Sequence, residues 1–277
     1  MLMLSSFAPV IKQILLQSGM PALDLTCLRM GVGWVFLSLM AVTWDRAEIS
    51  LLTPRDVIKL AGLGVVGVGI PYAVAVWSLV YTSVTHYVLI YSLTPAFTAG
   101  LSALFGKERM TRRKSFGIAC SVIGCLVAVT EGLDDVMAFA LGEALALLFT
   151  IMIAGFLVGS TNLVKRYGAM TANTVMFGSS FLLLVPITFW IAPPPPEPLS
   201  LVAMVLILYV GVATAAVFLL RYLALQSLSP STVGAFHNFV PVVSIGMAAL
   251  LLGEALDLHT ILGGAGILAG VEMVRRG

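Results

Sequence analysis

Most of this chain consists of apolar runs that are each long enough, or nearly long enough, to cross a lipid bilayer as a helix. A transmembrane helix needs about 20 predominantly apolar residues. Ten runs approach or exceed this length, at about 2–18, 22–43, 58–80, 84–105, 113–130, 137–161, 170–191, 200–224, 230–252 and 258–274. Apolar and polar residues do not alternate along these runs, as they would in a membrane β-barrel. We therefore predict an all-α integral membrane protein with ten transmembrane helices.

The composition also indicates a membrane protein. Charged residues make up 10% of the 277 residues, whereas a soluble domain has about 25%. Glycine occurs 26 times, which is common where membrane helices pack closely. The first run is short beside its counterpart at 137–161. We expect a first helix that is short at its N-terminus, or a chain that starts upstream of Met1, and we favour the second.

The two halves of the sequence repeat each other at an offset of 146 positions. The residues that recur are three glycines, a proline and a glutamate, in the pairs Pro95/Pro241, Gly100/Gly246, Glu108/Glu254, Gly117/Gly263 and Gly124/Gly270. This spacing predicts a duplicated protein, with a first five-helix repeat over residues 1–130 and a second over 131–277.

The distribution of positive charge predicts that the second repeat is inverted. Twelve of the 15 Lys and Arg residues fall in connections on one side of a ten-span arrangement, and that side is the cytoplasm because basic loops are not translocated. Residues 107–114 carry five of them, and the counterpart 253–260 carries none. Both termini are then cytoplasmic. Five spans is an odd number, so the second repeat enters the membrane upside down, an arrangement that suits alternating access.

The repeated motif resembles a known family. A proline, a glutamate thirteen residues later, a glycine nine further on and another seven beyond it are similar in both halves to the EamA family of the drug/metabolite transporter superfamily. Residues 72–95 and 218–241 resemble that family's third-to-fourth and eighth-to-ninth helix passages. The start departs from the pattern, with Leu4 where tryptophan is usual. The resemblance implies a carrier of the bacterial inner membrane, often an exporter of amino acids or other small metabolites.

Basic residues inside a span are expensive to bury and are functional candidates by default. Lys12, Arg29 and Arg221 are of this kind, although each could also snorkel to the nearest interface. The resemblance implies that the eighth span, with Arg221 and Tyr222, lines the cavity. If two or more of these basic residues face the cavity, it would favour a carboxylate or another anionic group.

Polar and aromatic residues supply the remaining candidates. His237 and Asn238 precede Pro241 as Tyr91 and Ser92 precede Pro95, and deep aromatics in the third span could wall a cavity. The predicted substrate-binding residues are Lys12, Tyr72, Trp77, Tyr91, Arg221, Tyr222, His237 and Asn238. The mid-span prolines Pro95 and Pro241 are predicted hinges, with a static kink as the alternative.

Other polar residues are assigned structural places. Glu108 and Glu254 are expected to tie a loop to backbone donors. Tyr81 and Tyr87 fit an interfacial aromatic belt, and interfacial placement is also expected for His86. The titratable candidates inside spans are Glu143 and His237, so uncoupled facilitation or exchange is at least as well supported as proton coupling.

The sequence therefore predicts a secondary transporter that moves a small organic metabolite, an amino acid or related compound, as an exporter or exchanger. A multidrug or nucleotide-linked metabolite carrier is the alternative. A membrane enzyme is less favoured, because no nucleophile–base set or metal motif is visible. The three cysteines have no ligand spacing, so no metal or cofactor is expected. The expected partners are the small-molecule substrate and membrane lipid, without nucleic acid, and a monomer is compatible with the sequence.

Overall fold

The computed structural model describes residues 2–44, 52–106, 109–129, 136–191, 199–227 and 239–276. Within these ranges the side chains of residues 2, 44, 136–140, 161–165, 221–227 and 239 are not described. The regular elements of the described residues are helices, in the order α1 (Leu2–Ser18), α2 (Ala22–Trp44), α3 (Pro54–Gly64), a π-helical turn (Val65–Gly69), α4 (Ile70–Tyr81), α5 (Val84–Tyr91), α6 (Thr94–Leu104), α7 (Arg112–Val129), α8 (Val136–Tyr167), α9 (Ala169–Ile191), α10 (Leu201–Ser227), α11 (Phe239–Leu252) and α12 (Leu258–Arg276).

Six helical stretches among these residues are long and apolar enough to cross a membrane. They are Ala22–Thr43, Pro54–Tyr81, Val84–Leu104, Leu141–Ser160, Ala169–Ile191 and Leu201–Leu220. The all-helical prediction is confirmed for the described residues. Helix α1 has 17 residues, and α7 begins with three basic residues, so neither meets the same standard of length and low charge. The count of ten spans stays a prediction.

The chain divides into two compact units, each built from corresponding parts of the two sequence halves. The first unit comprises Met1–Pro9, Trp77–Val158 and Pro230–Gly277, and the second comprises Val10–Val76 and Gly159–Ser229. At the offset of 146, α7 in the first unit corresponds to α12, and α2 in the second unit corresponds to α9.

In the first unit, α7 and α12 cross in close antiparallel contact through glycines. A Cβ on Gly117 would lie 2.6 Å from the carbonyl oxygen of Gly270, and a Cβ on Gly124 would lie 2.8 Å from that of Gly263. The two contacts exchange when the repeat offset is applied, because 117 corresponds to 263 and 124 to 270. Between them, the Ser121 hydroxyl lies 3.4 Å from the carbonyl oxygen of its own counterpart, Ile267. Such backbone approach requires residues without a side chain.

The second unit pairs α2 and α9 in the same antiparallel sense. The Cβ positions of Gly31 and Gly178 are filled by the rings of Phe181 and Trp34 respectively, at 2.7 and 2.6 Å. Trp34 and Phe181 also contact each other, with ring centroids 5.8 Å apart. Here a glycine on each helix makes room for an aromatic ring of the other.

The fourth apolar run is interrupted at Ser92 and Leu93, between α5 and α6. Pro95 has no N–H to donate to the Tyr91 carbonyl four residues earlier. The Thr94 hydroxyl donates to that oxygen instead, at 2.6 Å. Helix α5 therefore ends at Tyr91 and α6 begins at Thr94. Pro95 thus lies in the middle of the apolar stretch Val84–Leu104, in the first turn of α6. Its role as a hinge or a static kink stays a prediction.

Local capping signals explain where α3 and α5 begin. Thr53 and Asp56 form a capping box at the start of α3, and Pro54 follows the cap directly. Such a box satisfies backbone N–H groups that have no partner inside the helix. Ser83 caps α5, and its hydroxyl accepts a hydrogen bond from the N–H of His86 at 3.0 Å.

The glycine contact of the first unit is testable by adding one methyl group. Gly124→Ala would place a Cβ 2.7 Å from the backbone nitrogen of Ile267, and overpacking of this kind costs about 1–3 kcal/mol. We expect a lower apparent Tm for the detergent-solubilised variant, measured by circular dichroism.

The matched control for this change is Gly100→Ala. Gly100 is also helical and in the same unit, but its Cβ position has nothing within 4 Å. Replacing a helical glycine by alanine without a clash stabilises by about 0.4–1 kcal/mol. Equal changes in Tm for the two variants would contradict the close contact of α7 and α12.

Candidate functional site

A cleft in the first unit lies at the break between α5 and α6. It is shallow in this structure, with a cavity volume of about 10 Å³, room for about one water molecule. The lining residues come from α5, α6, α11 and α12 and the break itself: Tyr91, Ser92, Pro95, Val240, Pro241, Leu268 and Val271. Three residues predicted from the sequence, Tyr91, Pro95 and Pro241, therefore meet in one place, including both members of the repeated proline pair.

Stacked aromatic rings stand behind Tyr91. Its ring centroid is 5.5 Å from that of Phe149 on α8, and Tyr87 stacks on the same phenylalanine at 5.8 Å. Tyr87 is only 9% exposed, so its ring packs inward, and its predicted place at the membrane interface stays a prediction. It lies one turn before Tyr91 on α5, and both rings face α8.

The lining of the cleft, though not its size in this structure, is like that of ligand pockets. Its walls are mostly apolar, and polar groups are few, which is typical of ligand pockets. A broken helix inside a membrane protein is tolerated where its backbone is buried or lines a cavity. At this break the Val88 carbonyl accepts from both the N–H and the hydroxyl of Ser92, at 2.9 and 2.7 Å, and the Thr94 hydroxyl supplies the donor that Pro95 cannot give to the Tyr91 carbonyl.

The second unit buries a full positive charge. Arg29 on α2 is 1% exposed and is the largest fully buried side chain among the described residues. Its Nε donates to the Thr214 hydroxyl of α10 at 2.8 Å. Its guanidinium carbon lies 4.8 Å from the ring centroid of Tyr72, a cation–π distance. Arg29 was a candidate as a basic residue within a span, but it was not among the eight predicted substrate-binding residues.

Tyr72, which was among those eight, belongs to this aromatic group. Its ring contacts Phe218 of α10 at 6.0 Å between centroids. Phe218 in turn meets Phe177 of α9 edge-to-face at 5.4 Å. The guanidinium of Arg29 therefore lies over Tyr72, which is the first of three successively contacting rings from three apolar helices.

Glu254 binds the start of α5 in the first unit. One carboxylate oxygen accepts from the Val84 N–H at 2.8 Å, and the other accepts from the N–H and hydroxyl of Thr85 at 3.0 and 2.6 Å. Gly253, with a φ of 69°, makes the turn just before it. A carboxylate is favoured at a helix N-terminus by the helix dipole. The structural interpretation of Glu254 is confirmed, whereas Glu108 lies outside the described residues.

A second acidic residue lies near this helix end, in different surroundings. Glu143 on α8 is 9% exposed, and one of its oxygens is 3.4 Å from Nδ1 of His86. The same oxygen accepts a short hydrogen bond from the Thr82 hydroxyl. His86 is also buried and is the third residue of the apolar stretch Val84–Leu104, and its interfacial placement stays a prediction.

The other predicted residues are spread over the chain. Lys12 is half-buried on α1, and Trp77 is 45% exposed on α4. Neither lines the cleft. Arg221 and Tyr222 fall on α10, but their side chains, like all of His237 and Asn238, lie outside the described residues.

The sequence identified Tyr91 and His86 as polar residues of interest but did not predict the side chains that they contact. Phe149 is one of many aromatics in apolar runs and carried no signal. His86 was visible as a histidine at a span end, but its pairing with Glu143 depends on which faces of α5 and α8 meet. No group of three His, Cys, Asp or Glu side chains within the described ranges could hold a metal ion.

The family model of the EamA-like transporters matches residues 1–130 and 140–276. The chain belongs to the EamA-like transporter family. It is therefore a membrane transporter, and its apolar helices are those of a multi-pass membrane protein.

Individual transporters show the same relationship. An uncharacterized transporter of Archaeoglobus fulgidus is 28% identical over 225 residues, which cover 80% of this chain and 79% of the relative. An uncharacterized transporter of Clostridium kluyveri is 23% identical over 245 residues, covering 86% and 78%. A protein crystal structure with 15% sequence identity superposes with a TM-score of 0.70 over 98% of this chain and 92% of the other, which is a likeness of fold.

The helix-capping role of Glu254 predicts a loss of stability on its removal. Glu254→Ala leaves the N–H groups of Val84 and Thr85 without their acceptor, and we expect this to cost about 1–3 kcal/mol. The measurement is chemical unfolding of the transporter in detergent. Glu272→Ala is the control, because Glu272 pairs with Arg275 and Arg276 at the surface, where an ion pair contributes about 0–1 kcal/mol. Equal losses would contradict the capping role.

The hydrogen bond of the buried Arg29 predicts that removing the hydroxyl of Thr214 destabilises the protein more than removing that of Thr174. Thr214→Val keeps the shape of the side chain but removes the acceptor of Arg29, which we expect to cost about 1.5–3 kcal/mol. Thr174→Val is the control in the same unit, because the Thr174 hydroxyl bonds the Met170 carbonyl of its own helix. Unfolding in detergent measures both, and a Thr174 variant as unstable as the Thr214 variant would refute the role of the Arg29 bond.

Proposed function

We propose that this transporter is a secondary carrier that moves a small organic metabolite, an amino acid or a related compound, across the inner membrane. It works by alternating access and acts as an exporter or an exchanger. The observation that carries the proposal is the cleft at Pro95 and Pro241. These prolines hold the same position in the two sequence repeats, and both line the cleft at the break between α5 and α6. Broken helices at the interface of repeats are where carriers of this kind bind their substrates.

Inverted repeats are part of the proposal. The reciprocal contacts Gly117–Gly270 and Gly124–Gly263 support them, since the two corresponding helices α7 and α12 run antiparallel. The antiparallel pairing of α2 with α9 supports them a second time. Two copies of one sequence in opposite orientation can exchange two unequal packings, and this exchange would open the site to one side and then to the other.

The orientation follows from the basic residues. With ten spans, the loop 107–114 and the C-terminal pair Arg275 and Arg276 lie on the same side. Positive residues in short loops stay in the cytoplasm. Both termini are therefore proposed to be cytoplasmic.

The chemistry of the lining supports a metabolite with an apolar or aromatic part. Tyr91, backed by Phe149, offers a flat ring face, and Leu268 and Val271 offer aliphatic surface. Lys12, Tyr72, Trp77, Arg221, Tyr222, His237 and Asn238 remain proposed substrate-binding residues. A basic residue among them would select a carboxylate.

Counterflow in proteoliposomes tests the proposal. Labelled amino acids and organic acids are offered outside, with the matching unlabelled compound trapped inside. We expect one class to enter faster than into protein-free vesicles. Tyr91→Ala should lower the initial rate about tenfold at subsaturating substrate, equivalent to about 1.4 kcal/mol of lost interaction with the ring.

Tyr81→Ala is the matched control. Tyr81 is in the same unit but is 40% exposed and does not line the cleft, so its rate should equal that of the wild type. Equal loss in the two variants would refute the cleft as the site. Silence of the folded wild type across the panel would refute the metabolite assignment and direct the same assay to hydrophobic drugs and nucleotide-linked compounds.

A further inference from the structure

The pair formed by His86 and Glu143 is the one contact between oppositely ionising side chains that the described residues bury in the first unit. The two side chains are 8% and 9% exposed, and they lie on α5 and on the apolar stretch Leu141–Ser160 of α8. Both lie near the ends of these apolar stretches, and ionisable side chains buried there rather than turned to solvent are candidates for function. Nothing in the cleft uses this pair, so its purpose needs a separate explanation.

Glu254 provides an internal comparison for Glu143. Both carboxylates lie near the start of α5. Both oxygens of Glu254 accept bonds from fixed donors, two of them backbone N–H groups. Glu143 instead has one oxygen that accepts from the Thr82 hydroxyl and lies 3.4 Å from Nδ1 of His86, an ion-pair distance, while its Oε2 is buried with no hydrogen-bond partner. A carboxylate with a structural role has its acceptors satisfied, and this one keeps an oxygen that can take a proton.

The surroundings of the pair contain further polar and titratable groups. The end of α4 contributes Thr82, and Ser78 donates to the Gly142 carbonyl next to Glu143 at 2.8 Å. Cys125 of α7 is close enough to interact electrostatically with Glu143. The turn before α12 brings Glu254 to the residues preceding His86. Tyr87 follows His86 on α5.

We propose that His86 and Glu143 form the proton-binding site of a proton/metabolite exchanger. This inference rests on the proposed carrier function and adds its coupling ion. A proton taken from water on one side binds the carboxylate oxygen of Glu143 or the imidazole nitrogen of His86, and the pair becomes more positive by one charge. The same proton leaves to water on the other side while the metabolite moves in the opposite direction.

A continuous set of contacts joins this pair to the cleft within the first unit. His86 and Tyr91 lie on the same short helix, α5, and Glu143 and Phe149 lie on α8. Phe149 stacks on Tyr87, the neighbour of His86, and also on Tyr91 at the cleft. Any shift of α5 against α8 caused by a change of charge at the pair therefore reaches the ring that lines the cleft. Coupling requires such an element with two arrangements.

The first test uses proteoliposomes and whichever labelled amino acid or organic acid shows counterflow. A pH gradient is imposed with the membrane potential clamped, and accumulation of the labelled compound is measured. The quantity compared is the ratio of this accumulation to the counterflow of the same preparation. We expect the wild type to accumulate the compound on the acidic side, and we expect Glu143→Gln to lower this ratio about tenfold or more, since an amide cannot take up the proton. His86→Gln should lower the ratio as well.

Two variants serve as controls for this ratio. Glu272→Gln changes a surface carboxylate and should leave accumulation and counterflow unchanged. Glu254→Gln should lower both together through stability, with the ratio kept. Wild-type counterflow without accumulation under either gradient, or a Glu143→Gln ratio equal to that of the wild type, would overturn the proposal while leaving the carrier function intact.

A second test needs no substrate. Infrared titration of the detergent-solubilised protein measures the carbonyl band of protonated carboxylic acids as the pH is lowered. We expect one band to be lost in Glu143→Gln and its midpoint to move in His86→Gln. A Glu143 band with the same midpoint in both the wild type and His86→Gln would refute the pair as one proton site. The infrared result does not depend on transport. Absence of transport for every compound in the panel would count against the carrier function and not against the proton site.

Discussion

The hydrocarbon of a bilayer offers no hydrogen-bond partner to a peptide group, and the structure of this transporter follows from that constraint. Every backbone N–H and carbonyl inside the membrane must find its partner in the protein, so the spanning elements are helices. Where proline removes a partner, a neighbouring side chain replaces it. At the break before Pro95 the Thr94 hydroxyl bonds the Tyr91 carbonyl, and this substitution lets an irregular backbone exist at the edge of a cleft.

Helices in lipid associate without a hydrophobic driving force, so close packing must hold them together. In this chain the packing depends on glycine at positions that repeat. Gly117 and Gly124 meet Gly270 and Gly263 backbone to backbone, whereas Gly31 and Gly178 admit aromatic rings. The first kind of contact brings the backbones of α7 and α12 together directly. The second packs an aromatic ring of each helix, α2 or α9, against a glycine of the other. Both kinds persist in a duplicated sequence because packing does not depend on which side of the membrane a helix end faces.

Three buried or half-buried charged groups illustrate three different solutions to the cost of a charge in an apolar setting. Glu254 is satisfied by backbone donors at a helix N-terminus. Arg29 is held by one hydroxyl and the face of Tyr72. Glu143 has a titratable neighbour and an oxygen without a hydrogen-bond partner. The first solution is static, since both oxygens are occupied. In the third, one oxygen is unoccupied, and this difference in hydrogen bonding distinguishes two glutamates that lie near the same helix.

The sequence by itself determined the class of protein, the positions of the helices and the family, because hydropathy, proline and glycine act locally and recur at a fixed offset. It also predicted the structural role of Glu254, and it singled out Tyr91 and the repeated pair Pro95 and Pro241, which line one cleft. It could not predict that the Thr94 hydroxyl bonds the Tyr91 carbonyl where the fourth run is interrupted. Nor could it predict that Tyr87 turns inward onto Phe149 or that His86 meets Glu143. Those outcomes depend on the rotation of α5 and α8 about their axes. In helices that are apolar all round the pattern of residues leaves that rotation open, and only the packing of the tertiary structure decided it.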